Sequence, residues 1–87
     1  MGRSTGKIEL NNIKDTILEI IYDITKRTPS KMSFSMDTLE VDSLDLVEII
    51  LRLEDRFNFT FTDDECHELR YWSMNKLAET IYNKNND

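Results

Sequence analysis

Apolar residues recur at steps of three and four in three separate stretches of this chain, and that spacing confines it to a bundle of helices. In the first stretch, Ile8 to about Thr25, the series is Leu10, Ile13, Ile17, Ile20, Ile21 and Ile24. In the second, about Ser43 to Phe57, it is Leu46, Ile49, Ile50, Leu53 and Phe57. In the last, from Ser73 or nearby to about Tyr82, it is Met74, Leu77, Ala78 and Ile81. A short helix, about Asp63 to Leu69, precedes the last, with Thr62 as its cap and Glu65 completing a capping box. The stretch "NFTFT", Asn58 to Thr62, has the composition of a strand. Five residues between helices read instead as an extended link that tucks Phe59 or Phe61 inward. The expected class is all-α, an antiparallel bundle of three main helices plus one short helix.

The first two main helices are joined by a long connection, Lys26 to Val41. Thr28-Pro29-Ser30 opens it, because proline cannot continue a helical ladder. A connection that long needs pins in a compact domain. Met32, Phe34, Met36 and Leu39 are the side chains available. The domain is expected to cover residues 8–83, between a disordered segment at 1–7 and a frayed tail at 84–87.

At 87 residues with a formal net charge of -6, the chain reads as one small acidic domain. That balance argues against a nucleic-acid binder, which clusters Lys and Arg. It suits partners with basic surfaces, reached under electrostatic steering. A single cysteine, Cys66, forms no internal disulfide and makes no cysteine metal site. No apolar run approaches the roughly 20 residues of a membrane span. "MGRSTGK" lacks the apolar stretch of a signal peptide. Gly2 superficially suggests myristoylation, but position 6 is Gly where Ser or Thr belongs. The expectation is a cytoplasmic monomer.

The second helix carries more apolar residues than one buried face needs. At about 100° per residue, Leu46, Ile49, Ile50, Leu53 and Phe57 make the core stripe, and Leu44, Val47 and Leu51 make another about 120° away. Asp45, Glu48, Arg52, Asp55 and Arg56 fill the remaining arc. Periodicity leaves the second stripe two fates: burial under the long connection, or exposure as a docking patch. Ser43, at the start of this helix, is an N-cap or a first-turn serine following an Asp42 cap. Neither a Gly-x-Ser-x-Gly elbow nor a histidine in an evident orienting pair supports a hydrolytic nucleophile. The free amides and positive dipole end of a helix N-terminus suit a phosphate ester at that hydroxyl.

"VDSLDLVEIILRLEDRF" closely resembles the Asp-Ser-Leu motif and recognition helix of acyl carrier proteins. The resemblance spans about Ile8 to Tyr82, and includes the long first connection, the "FTDDE" approach to a short third helix and an apolar final helix. It implies that Ser43, preceded by Asp42, is the attachment site for 4′-phosphopantetheine, a covalent group taken from coenzyme A by a separate phosphopantetheinyl transferase, the holo-carrier-protein synthase. The arm's terminal thiol then holds an acyl group as a thioester. By the same resemblance, Asp45, Glu48, Glu54 and Asp55 present acid to basic patches on activating and transferring enzymes. Leu44, Val47 and Leu51 match the apolar positions such partners contact. Leu46, Ile49, Ile50, Leu53 and Phe57 would line the space that shelters a growing chain. The protein would carry intermediates of fatty acid, polyketide or related biosynthesis without catalytic activity or a metal of its own.

This chain departs from the family at Glu40, where a glycine is common. Arg52 and Arg56 interrupt the acidic face. "ELRYWSMNKL" is longer than the matching turn in fatty-acid carriers, and its Trp and Asn-Lys resemble D-alanyl and other aminoacyl carriers. An aminoacyl or peptidyl cargo is therefore one alternative. Another is a helical interaction module in which Ser43 is only a cap and Leu44, Val47 and Leu51 bind a partner helix. Cys66 reads as half-buried and His67 as solvated. Tyr71 and Trp72 read as plugs between the third and fourth helices. "TDDECHE" lacks the ladder of a calcium loop.

Overall fold

The structure, a computed structural model, describes residues 9–30 and 33–86. The order is α1 (Leu10–Thr25), α2 (Ser43–Phe57), α3 (Asp63–Glu68), a 3-10 turn (Leu69–Tyr71) and α4 (Met74–Asn86). No strand occurs among the described residues. Helix α1 packs against both α2 and α4. The three periodic stretches meet there, with Ile13, Ile17 and Ile21 of α1, Ile49 and Leu53 of α2 and Ala78 and Ile81 of α4 fully buried. Burying each large apolar side chain contributes about 1.5–3 kcal/mol. Ile8, expected at the start of α1, lies outside the described residues.

Helix α1 ends at Thr25, four residues before the proline. Lys26 turns left-handed, and its N–H donates to Tyr22 O. The connection that follows is pinned as the pattern requires, by buried Phe34 and Met36 and half-buried Leu39. Val41 is a buried pin the sequence reading lacked. Met32 lies outside the described residues. The connection also bonds to the far side of the molecule. Asp37 N–H donates to Arg70 O at 2.9 Å, and Met74 N–H donates to Phe34 O at 3.0 Å.

Phe61 of the "NFTFT" link is the inward ring, and it meets Phe59 edge-on at 4.7 Å and Trp72 at 6.4 Å. The capping box at Thr62 and Glu65 is present in full. Tyr71 is not the plug expected of it, being 68% exposed. The 3-10 turn explains why. Its three-residue period puts Leu69 and Trp72 on one side and sends Tyr71 to the other. Ser73 caps α4, its hydroxyl accepting Lys76 N–H at 3.1 Å. That helix runs past Tyr82 to Asn86, through most of the tail expected to fray. The cause is tertiary. Lys84 pairs with Glu65 of α3 at 3.0 Å, while within α4 itself Asn85 Nδ2 donates to Ile81 O.

Candidate functional site

Asp42, not Ser43, caps α2. Its Oδ1 accepts the Asp45 N–H at 2.9 Å, and its backbone carbonyl accepts Leu46 N–H. Ser43 is the first helical residue, exposed, and its hydroxyl makes no hydrogen bond to a described residue. The two roles open in the sequence are thus divided between neighbours. The aspartate closes the helix end, and the serine oxygen is left accessible.

The second apolar stripe is exposed and does not tuck under the connection. Leu44 is 83%, Val47 53% and Leu51 58% exposed. Asp45, Glu48 and Asp55 lie among or beside them. Arg52 does not stand as an independent cation on this face. It reaches Glu48 at 3.2 Å and Asp23 of α1 at 3.7 Å, across a groove between α1 and α2. Glu54 is half-buried, and its carboxylate accepts Phe61 N–H at 2.8 Å. The structure therefore gives that residue a local task in holding the link before α3.

Beside Ser43 opens a cleft of about 430 Å³ between α2 and α3. Its α2 wall is Ser43, Leu46, Val47, Ile50, Leu51 and Glu54. Those positions follow at three- and four-residue steps, so they form one face of the helix, and Ser43 begins it. The five residues expected to line a sheltering space are divided by this geometry. Leu46 and Ile50 line the cleft, whereas Ile49, Leu53 and Phe57 are packed into the core. Val47 and Leu51, expected only to dock partners, border it as well. The cleft face lies between the two stripes and draws on both.

The opposite wall is Phe61, Asp63, Cys66, His67 and Arg70. Of these Phe61 was expected to face inward and Cys66 to be half-buried, and both are. Burial pushes the Cys66 thiol above its ordinary value, and the carboxylates of Glu54, Asp63 and Glu65 push it further. The thiol stays protonated at neutral pH, so it is a poor nucleophile. His67 is exposed at the rim, as expected.

The backbone leading to Ser43 is held from two sides by arginines. Arg27, just past α1, donates from Nη1 to Leu39 O at 2.6 Å and to Glu40 O at 3.4 Å. Arg70 donates from Nη2 to Val41 O at 2.9 Å. Between them Glu40 has φ 60, in the left-handed region that favours glycine. The departure from the family at this position therefore carries a conformational cost that the arginines offset.

Within residues 43–68 stand eight carboxylates and two arginines, so the entire net charge of -6 falls on the two helices that flank the cleft. No helix of the described residues is long and apolar enough to cross a membrane.

The chain matches the family model described as "Phosphopantetheine attachment site" over residues 15–79. An acyl carrier protein of Lactobacillus acidophilus is 38% identical to it, over 69% of this chain and 74% of that protein. An acyl carrier protein of Buchnera aphidicola subsp. Schizaphis graminum is 34% identical, over 87% of this chain and 98% of that protein. A helix opened by an aspartate cap and a free serine, with a cleft beside it, is what these similarities bear on, and the chain belongs to the acyl carrier protein family, whose prosthetic group is 4′-phosphopantetheine.

Proposed function

We propose that Ser43 is the attachment point of the 4′-phosphopantetheine arm and that the protein carries acyl groups on it between partner enzymes, without catalytic activity of its own. One observation carries the assignment. Because Asp42 performs the capping, the Ser43 hydroxyl is exposed at the mouth of a cleft and bonded to no described residue. The residues present fit the group. A serine oxygen engaged in capping would have to break a hydrogen bond before it could be modified, and this one does not. When attached, the arm supplies a thiol on which acyl groups ride as thioesters. Leu46, Ile50 and Phe61 give the cleft an apolar lining, which favours an acyl chain over a bare amino acid.

Leu44, Asp45, Val47, Glu48, Leu51 and Asp55 form the docking surface in this reading. Exposed apolar side chains give a partner its contact area, and the surrounding acids favour a basic patch. The partners are the phosphopantetheinyl transferase and the enzymes that load and unload the arm, in a cytoplasmic setting.

Intact mass before and after incubation with coenzyme A and a broad-specificity phosphopantetheinyl transferase tests the assignment. The expected result is a gain of one phosphopantetheine unit in the wild type and none in Ser43→Ala. No gain in the wild type, with a control carrier modified in the same tube, would leave Ser43 an ordinary first-turn residue and favour a helical interaction module.

A further inference from the structure

The cleft beside Ser43 has one arginine in its wall and no lysine among the residues that line it. That arginine, Arg70, comes from the 3-10 turn, where buried Leu69 just before it anchors the backbone. Its Nη2 donates to Val41 O at 2.9 Å. Its Nη1 lies 3.7 Å from Asp37 Oδ1, too far for a hydrogen bond. A guanidinium has five N–H donors, so among the described residues most of this one's capacity is unused.

Holding a carbonyl needs only a neutral donor. Arg70 instead places a permanent cation there, with its side chain only 24% exposed. A charge partly withdrawn from water gains from a close counter-charge. Asp37 is a poor one, being half exposed as well as distant. Arg70 is therefore a cation already partly desolvated and weakly paired, in the wall of a cleft.

Its position relative to Ser43 is fixed by the chain. Val41, which it holds, stands two residues before Ser43, at most about 7 Å of backbone. A phosphodiester on Ser43 would bring a negative charge and two acceptor oxygens to that spot, between Asp42 and Asp45. Those carboxylates repel it. Arg70 is the group on the cleft wall able to offset them, and a guanidinium fork matches two phosphate oxygens.

We infer that Arg70 binds the phosphodiester of the arm on Ser43, turning its Nη1 side from Asp37 to the phosphate while Nη2 keeps Val41. This rests on the reading of Ser43 as the attachment site. Arg70 then acts as a positioning residue. A phosphate held against the cleft wall starts the arm along the cleft, not out into solvent, and favours a sheltered cargo.

The test compares apo and loaded protein for the wild type, Arg70→Gln and Arg70→Lys, with loading first verified by mass. Loading is expected to raise the wild-type Tm by about 10 °C, the scale of one net hydrogen bond to a charged group in a domain this size. In Arg70→Gln it leaves Tm unchanged or lowers it, and the 31P resonance of the arm moves from its wild-type position. Arg70→Lys, with charge but no fork, falls between. An Arg56→Gln control, in the groove between α1 and α2 and outside the cleft, behaves as wild type. Where Arg70→Gln fails to fold, the wild-type protein still answers, because the Arg70 Nε–H resonance must move on loading. A mass gain accompanied by the same Tm response and 31P shift in wild type and Arg70→Gln overturns the inference and leaves Ser43 as the attachment site. An unmoved Arg70 Nε–H does likewise. Absence of the mass gain overturns both.

Discussion

Helices α2 and α3 begin with similar chemistry and use it differently. At α3 the capping hydroxyl is itself bound into the helix start. The Thr62 hydroxyl accepts Glu65 N–H at 3.1 Å, the Glu65 carboxylate accepts Thr62 N–H at 2.9 Å, and Lys84 locks Glu65 from α4. Neither side chain of that box is left for other work. At α2 the same need is met by Asp42, and the hydroxyl sits one position later with no bond to a described residue. Both starts are stable, but only one leaves an oxygen available. Moving a hydroxyl by one residue along a helix start turns a structural group into an accessible one.

Substitutions at the two starts should separate these roles. The largest difference is expected in arm attachment. Ser43→Ala abolishes it while changing unfolding free energy by less than about 0.5 kcal/mol, as for a surface side chain without partners. Thr62→Ala gives the reverse, full attachment by mass with a loss of about 1.5 kcal/mol in urea unfolding, within the range for cap removal. Asp42→Ala costs about 1 kcal/mol by the same measure. A stability loss in Ser43→Ala as large as that in Asp42→Ala would mean the serine is a cap after all.

Glu40→Gly sharpens the contrast from upstream. It relieves the left-handed strain ahead of α2 and is expected to stabilise by about 0.5 kcal/mol, less than the full strain because glycine loses more entropy on folding. Thermal unfolding measures it. The smallest effect concerns pH at the α3 start. Partial burial pushes the Glu65 carboxyl up, but the Thr62 backbone N–H, then Lys84 and the Thr62 hydroxyl, outweigh it and hold the group below its ordinary value of 4.5. A carboxyl depressed in the folded state stabilises it fully above 4.5, and that contribution is lost as pH falls through the lowered value. The stability gap between wild type and Glu65→Gln should therefore close on acidification from pH 6 to pH 3.

The helices and the serine were legible because each is written locally. Periodicity placed α2 at Ser43 to Phe57, and the Thr62 box declared itself by residue type and spacing. The choice between Ser43 and Asp42 as cap was not legible, since both residue types cap well and the outcome depends on backbone angles. Arg70 left no trace at all. Its partners, Val41 O and Asp37, are about thirty residues upstream, and a carbonyl acceptor is the same at every position. The length of α4 was underestimated because asparagines are weak helix formers. The Lys84 bond to Glu65 overrides that preference, and it joins residues far apart in sequence. The cleft face escaped notice because it is assembled from parts of two stripes that periodicity assigned to separate duties.

The connection between α1 and α2 has one further consequence, for how the native state opens. Its amide at Asp37 is held by Arg70 O, its carbonyl at Val41 by the Arg70 side chain, and its carbonyl at Phe34 by the first amide of α4. All three tie the connection to the 3-10 turn and the start of α4. The connection, the 3-10 turn and the start of α4 therefore belong to one cooperative unit. In hydrogen exchange the amides of Asp37 and Met74, distant in sequence, would report a common opening, and each such event would release the backbone that leads into Ser43.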